Sequence, residues 1–275
     1  MCNKLKRNSS KNRIVRRFKN LREKGEKALI PFITAGYPDL KYTEDLIFEL
    51  EEKGADIIEL GIPFSDPLAD GPVIQTASYR ALRRGVTLEK TIKFVEKIRK
   101  KTSIPLIFMG YYNSIFKFGE KKFVHQASEA GVDGVIIADL PPEEAKDIQQ
   151  YTMKNNLALI FLLTPVSSDD RIKLVCNSSE GFIYCVSYTG VTGQKGKEEK
   201  MLKSFIKKVR SFTSTPVAIG FGIYSPVEAR KLSSLADGII VGSAIIRKIM
   251  ENEGGKDTVK KVGEFVYSLS QAVKS

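Results

Sequence analysis

Eight short runs of β-branched and other apolar residues recur along this chain, at 28–33, 55–60, 104–109, 132–138, 157–163, 181–187, 215–220 and 237–241. Between them lie segments of helical periodicity, such as Leu46/Leu50/Lys53, Ile92/Val95/Ile98, Phe123/Ala127/Ala130 and Leu202/Phe205/Ile206/Val209. Strand then helix, eight times over, predicts a closed (β/α)₈ TIM barrel of the α/β class rather than an open doubly wound sheet. The runs are continuously apolar, as strands covered by helices should be. An open dinucleotide-binding sheet would place G-x-G-x-x-G after its first strand; this chain has Thr34-Ala35-Gly36-Tyr37-Pro38-Asp39. Gly54, Gly131 and Gly181 stand where helices should end, and Asp39, Ser167 and Ser225 are candidate N-caps. Ser225-Pro226-Val227-Glu228 adds proline at the first helical position and a capping-box glutamate. The pattern also predicts an extra N-terminal helix near 13–24 and extra C-terminal helices, the last near 257–272.

A length of 275 residues suits one such barrel, here expected over 13–275, behind a basic and flexible leader at 1–12. The net charge of +12 is uneven: residues 1–27 hold eleven Lys/Arg and two Glu, leaving the body close to balance. The excess forms no stripe interleaved with aromatics, which argues against nucleic acid as a partner. No apolar stretch nears the roughly 20 residues of a membrane span, and no apolar core of a secretory signal follows the basic start. Three cysteines without metal-ligand spacing fit a cytoplasmic protein. An acid-free basic leader leaves an organelle stroma as the alternative location.

Chemistry concentrates after the second run, in Glu59-Leu60-Gly61-Ile62-Pro63-Phe64-Ser65-Asp66-Pro67-Leu68-Ala69-Asp70-Gly71-Pro72. In a barrel, reactive groups sit at the C-terminal ends of the strands. Alternation puts Ile57 and Glu59 on one face; with that face inward, Glu59 reaches the barrel mouth, where burial raises a carboxyl pKa toward neutrality. The plain alternative is an outward Glu59 paired with a helix lysine. Asp66 reads chiefly as turn chemistry, and Asp70 either as a functional carboxylate or as a helix cap. Glycine-containing turns after the last strands (Gly190 to Gly193, Gly220 to Ile223, Val241 to Ala244) suggest a phosphate ester held by backbone amides. The single histidine, His125, falls in a helix pattern and reads as a surface residue. Histidine-ligated metal hydrolysis and a Ser–His triad are thereby excluded, and no strand-end lysine offers a Schiff base.

The run Glu59 to Gly71 with Gln75, together with Pro31-Phe32-Ile33-Thr34-Ala35-Gly36-Tyr37-Pro38, Met109-Gly110-Tyr111-Tyr112-Asn113, Ala138-Asp139-Leu140-Pro141 and Gly190-Val191-Thr192-Gly193, resembles the tryptophan synthase α subunit family. The likeness runs from about Arg17 to the C-terminus. It implies a cofactor-independent lyase that cleaves indole-3-glycerol phosphate to indole and D-glyceraldehyde 3-phosphate by a retro-aldol reaction. Carried over position by position, Glu59 would shuttle protons and Asp70 would accept the indole N–H. Phe32 and Ile136 would help wall the indole pocket, with Tyr111 and Tyr184 nearby. Gly193, Gly222, Gly242 and Ser243 would hold the phosphate, while Thr192 would close over the substrate and contact Asp70. No metal is implied. The resemblance also implies a tryptophan synthase β subunit partner in an α₂β₂ assembly, receiving indole through a channel; pyridoxal phosphate would belong to that partner alone. Loops 61–71 and 111–116 would face it. Two departures stand out: Tyr188, where some relatives carry arginine, and the leader. Rival readings are a β-subunit activator without catalysis, a phosphoribosyl isomerase-like barrel, and an RNA-binding protein working through the leader.

Overall fold

The computed structural model describes residues 11–187, 195–220 and 222–275. Ala28–Thr34 (β1), Ile58–Gly61 (β2), Leu106–Gly110 (β3), Gly134–Ile137 (β4), Ala158–Ile160 (β5), Leu162–Leu163 (β6), Ile183–Val186 (β7), Val217–Gly220 (β8) and Gly238–Val241 (β9) pair in the order β5-β4-β3-β2-β1-β9-β8-β7-β6. Every pairing is parallel. The two ends of that order, β5 and β6, come from one apolar run, so the sheet closes into a barrel. Phe161 divides the run because its N–H turns to the Ser179 hydroxyl at 3.2 Å. The eight expected strands are therefore present, the fifth in two pieces.

Helices cover the outside. Arg13–Lys24 (α1) precedes the barrel, and Leu40–Glu52 (α2) is the first crossover. Pro72–Arg83 (α3) and Leu88–Ile98 (α4) follow β2, and Tyr112–Phe118 (α5) and Glu120–Glu129 (α6) follow β3. Next come Lys146–Lys154 (α7), Asp169–Ser178 (α8), Lys195–Phe212 (α9), Pro226–Ser233 (α10), Ser243–Asn252 (α11) and Thr258–Lys274 (α12). Asp39 and Ser225 cap α2 and α10 with their side chains, as their positions suggest. Ser167 does not cap α8; its hydroxyl closes a turn by accepting the Thr164 N–H at 3.1 Å, and Ser168 takes the cap. The shift by one residue follows from that turn, whose Ser167 N–H also returns to the Thr164 carbonyl at 3.0 Å.

Small residues at the strand starts explain α1. Ala28, Gly134, Ala158, Ala218 and Gly238 leave a hollow at the N-terminal end of the barrel, and Ile14 and Phe18 of α1 fill it. The Phe18 ring packs 5.7 Å from that of Phe182. Ile14, Phe18 and Leu21 are each buried, an arrangement worth at most about 1.5–3 kcal/mol apiece. Asn12, at the end of the expected leader, is itself buried: it caps α1 and donates to the Asp133 carbonyl at 2.8 Å.

The same end carries three aspartates in one structural role. Asp56, Asp133 and Asp237 each accept an N–H from the start of a neighbouring strand, from Leu29, Leu106 and Val217, at 2.9 Å in every case. Each also meets a cation. Lys274 lies 3.2 Å from Asp56, Arg13 and Arg99 lie 2.8 and 3.2 Å from Asp133, and Arg210 lies 3.1 Å from Asp237. These carboxylates lock the closed end of the barrel; the open end is built differently.

Candidate active site

Register places Glu59 of β2 beside Phe32 of β1 and Ile107 of β3, on the inward face near the barrel mouth. It is fully buried, and among the described residues neither carboxylate oxygen has a hydrogen-bond partner. The outward pairing with a lysine is thereby ruled out. Burial alone pushes its pKa from 4.5 up to about 8. A buried polar group without a partner is rare enough to call for a functional reading.

Asp70 faces the same cavity from the loop after β2. It does not cap α3: Gly71 is the N-cap, with no side-chain cap bond, and Pro72 opens the helix. Asp70 is held by its backbone instead. Its N–H bonds the Pro67 carbonyl at 3.0 Å, and its carbonyl accepts from the Gln75 amide at 2.9 Å. Burial raises its carboxyl pKa to about 6, with a hydrogen bond from the Tyr111 hydroxyl pulling the other way. That hydroxyl also accepts the Ala69 N–H at 3.0 Å, and the Tyr111 ring stacks on Phe64 at 5.2 Å. Tyr111 therefore braces the acidic loop from behind rather than lining the cavity. Asp66 is exposed and takes a bond from Ser65, consistent with turn chemistry.

The cavity, of ≈ 150 Å³, is lined by Phe32, Met109, Tyr184 and Ile240 together with the carboxyl groups of Glu59 and Asp70. Gly222, Gly242 and Ser243 line it as well, as do Ile74, Ile223 and Tyr224. Tyr184 fits inside because residue 220 is glycine; a Cβ there would overlap its hydroxyl. Gly222 has φ of +71°, a conformation side chains resist, and it leaves the backbone open to a ligand. Gly242 and Ser243 begin α11 without a side-chain cap; the Ile245 N–H returns to the Gly242 carbonyl at 2.9 Å, and the N–H groups of Ser243 and Ala244 are the ones the helix start offers to an anion.

Of the residues expected from sequence, Glu59, Asp70, Phe32, Tyr184, Gly222, Gly242 and Ser243 meet in this one cavity. Ile136 is buried on β4, in register with Met109, and it is Met109 that reaches the lining. Thr192, Gly193 and Tyr188 lie outside the described residues. Met109 and Ile240 line the cavity beyond those expected residues, and both share the inward parity of Ile107 and Gly238; Tyr224 has no sequence signal beyond its place after the Gly222 turn. His125 is exposed, 3.1 Å from Glu129 on its own helix. Among the described residues, no group of three or more His, Cys, Asp or Glu could hold a metal ion, and no helix is long and apolar enough to cross a membrane. A second hollow, of ≈ 330 Å³, lies at the opposite end between α1 and the strand starts. Its walls include Lys19, Arg22 and Ser214 but no unpartnered buried acid.

Comparison with known proteins agrees with this geometry. The family model described as tryptophan synthase alpha chain matches residues 18–274. A tryptophan synthase alpha chain of Thermoanaerobacter sp. (strain X514) is 50% identical over 262 residues, covering 95% of this chain and 100% of the relative. One from Geotalea uraniireducens (strain Rf4) is 49% identical, covering 96% and 98% respectively. Among solved structures, tryptophan synthase subunit alpha from Legionella pneumophila str. Paris superimposes with a TM-score of 0.88 at 38% identity, over 95% of this chain and 98% of that one. Sequence and barrel agree over nearly the whole length, and the chain belongs to the tryptophan synthase alpha chain family.

Proposed function

We propose that Glu59 and Asp70 carry, in this cavity, the alpha-chain reaction: retro-aldol cleavage of indole-3-glycerol phosphate to indole and D-glyceraldehyde 3-phosphate. The observation that carries the reading is the fully buried, unpartnered Glu59, sharing a cavity with Asp70 and with the free start of α11. With a pKa of about 8, Glu59 enters the reaction protonated at neutral pH. It gives its proton to indole C3, which leaves the ring as an iminium-like cation. The resulting carboxylate takes the proton of the side-chain hydroxyl. The O–H electrons become the aldehyde C=O, and the C3–side-chain bond electrons return to the ring and restore indole. One proton is delivered and one recovered, so Glu59 ends as it began.

Asp70 is suited to the complementary task. With a pKa of about 6 it is ionised at neutral pH, able to accept the indole N–H and stabilise the positive charge that C3 protonation creates there. The aromatic ring fits among Phe32, Met109, Tyr184 and Ile240, and the phosphate fits the amides at Gly222, Gly242 and Ser243. The same reading assigns Gly193 to the phosphate and Thr192 to contact with Asp70 over the bound substrate. No cofactor is required of this chain, because a single carboxyl serves both proton positions.

The family implies a β subunit as partner, and we assign the α₂β₂ assembly with indole transfer through a channel. Leu68 and Phe116, 95% and 66% exposed on the two segments flanking the mouth, are apolar groups that such a contact would cover. Pyridoxal phosphate is placed in that partner.

The test is indole release by the purified chain. Glu59→Gln should lower kcat by roughly 10³-fold or more while the substrate still binds. Near-normal turnover would overturn the assignment. In the parent chain, kcat/KM should be bell-shaped in pH, rising as Asp70 ionises near 6 and falling as Glu59 loses its proton near 8.

A further inference from the structure

Among the described residues, two carboxyl groups stand in the lining of the cavity and no cation does. Into it the substrate brings a phosphate of nearly two negative charges. The start of α11 offsets part of that, with the equivalent of roughly half a positive charge. Asp70, ionised at neutral pH, opposes it. A full positive charge within about a Debye length, ~8–10 Å, would alter that balance most.

Arg247 is in position to supply it. One turn into α11 from Ser243, it is exposed, and its guanidinium carbon lies 5.7 Å from the ring centroid of Tyr224. Tyr224 itself lines the cavity, as Gly222 and Ser243 do, and is 48% exposed. Among the described residues Arg247 has no ion-pair partner; the aromatic face is its one contact of note. Neighbouring charges are otherwise committed. Lys248 pairs with Glu251 at 2.8 Å, and Glu228 accepts the Tyr224 N–H at 2.8 Å and the Ser225 hydroxyl at 3.2 Å. An arginine with no carboxylate beside it keeps its field for a ligand, and a tyrosine face positions it without neutralising it.

We infer that Arg247, resting on Tyr224, is a specificity-determining cation for the phosphate of the substrate. It favours anionic over neutral ligands at this mouth and draws them toward the α11 amides. The inference rests on the reading of the cavity given above.

Equilibrium binding of sn-glycerol 3-phosphate and of indole to the full chain, in low and in high salt, tests it. Arg247→Gln should weaken glycerol 3-phosphate binding roughly three- to tenfold at low salt and flatten its salt dependence, with indole binding unchanged. Arg247→Lys should restore most of the affinity. In the lyase assay the same loss should appear in KM, with kcat largely kept. Equal glycerol 3-phosphate affinity and equal salt dependence in Arg247→Gln and the parent chain would overturn the inference, as would parallel losses of indole and phosphate binding. Failure of the parent chain to release indole would sink the proposed reaction, yet the glycerol 3-phosphate arm would still report on Arg247. Failure of the parent chain to bind glycerol 3-phosphate at all would sink both.

Discussion

The two ends of the barrel bury carboxylates in opposite ways. At the closed end Asp56 and Asp133 are 2% and 4% exposed, yet each accepts a strand N–H and faces a cation. At the mouth Glu59 is buried completely and faces none. Burial is the leading influence on all three, and it raises all three pKa values. Lysine, arginine and backbone N–H groups pull Asp56 and Asp133 back toward ionisation; nothing pulls Glu59 back. An acid within a barrel strand run is therefore structural or reactive according to its partners, not its depth.

The largest expected effect comes from the unpaired side of that comparison. Between pH 4.5 and about 8 the folded chain holds a proton on Glu59 that the unfolded chain has released. Stability from this group therefore falls as pH rises through that window and levels off above it, by a total of roughly 5 kcal/mol. Glu59→Gln, already expected to lose activity, should lose this decline too, and urea unfolding at a series of pH values would show it. An unchanged slope would mean that Glu59 titrates normally, and the contrast with Asp133 would collapse.

On the paired side, Asp133→Asn leaves Arg99, itself only 12% exposed, beside a neutral amide. The expected loss is about 3–5 kcal/mol of unfolding free energy, with kcat and KM for indole release unchanged where the variant is folded. A loss of turnover larger than the loss of folded protein would show that the two ends are coupled rather than separate.

Sequence made the barrel legible because strand and helix periodicities repeat without ambiguity, and it made the inward aim of Glu59 legible because alternation has only two answers. It did not separate the two acids of Ala55-Asp56-Ile57-Ile58-Glu59. The cations near Asp56 are Arg17 and Lys274, from opposite ends of the chain, and no local pattern announces them. Distance in sequence hid the brace on Asp70 in the same way, since Tyr111 lies 42 residues from Ala69. Met109 lines the cavity where Ile136, its register partner, does not, because alternation fixes the facing of a strand but not how far up the barrel each side chain reaches. The glycine turns were readable as backbone openings, and Gly222, Gly242 and Ser243 do line the cavity; the cation beside them, Arg247, was not, because only the folded chain sets it over Tyr224.

The smallest effect sharpens the comparison most finely, because Asp70 stands between the two extremes. It is partly buried, and one hydroxyl, that of Tyr111, partly relieves it. Tyr111→Phe keeps the stack on Phe64 and removes both the bond to Asp70 and the acceptor for the Ala69 N–H, a change worth about 1 kcal/mol. Removing a donor to the ionised form raises the carboxyl pKa further above about 6. Asp70 must be ionised to receive the indole N–H, so the acid limb of kcat/KM should move to higher pH while the limb set by Glu59 stays in place. If both limbs stay where they are, Tyr111 only shapes the loop and its hydrogen bond does not tune the charge on Asp70. If both move together, the two carboxyls titrate as a coupled pair, and the mouth of the barrel holds one shared proton system instead of two acids with separate tasks.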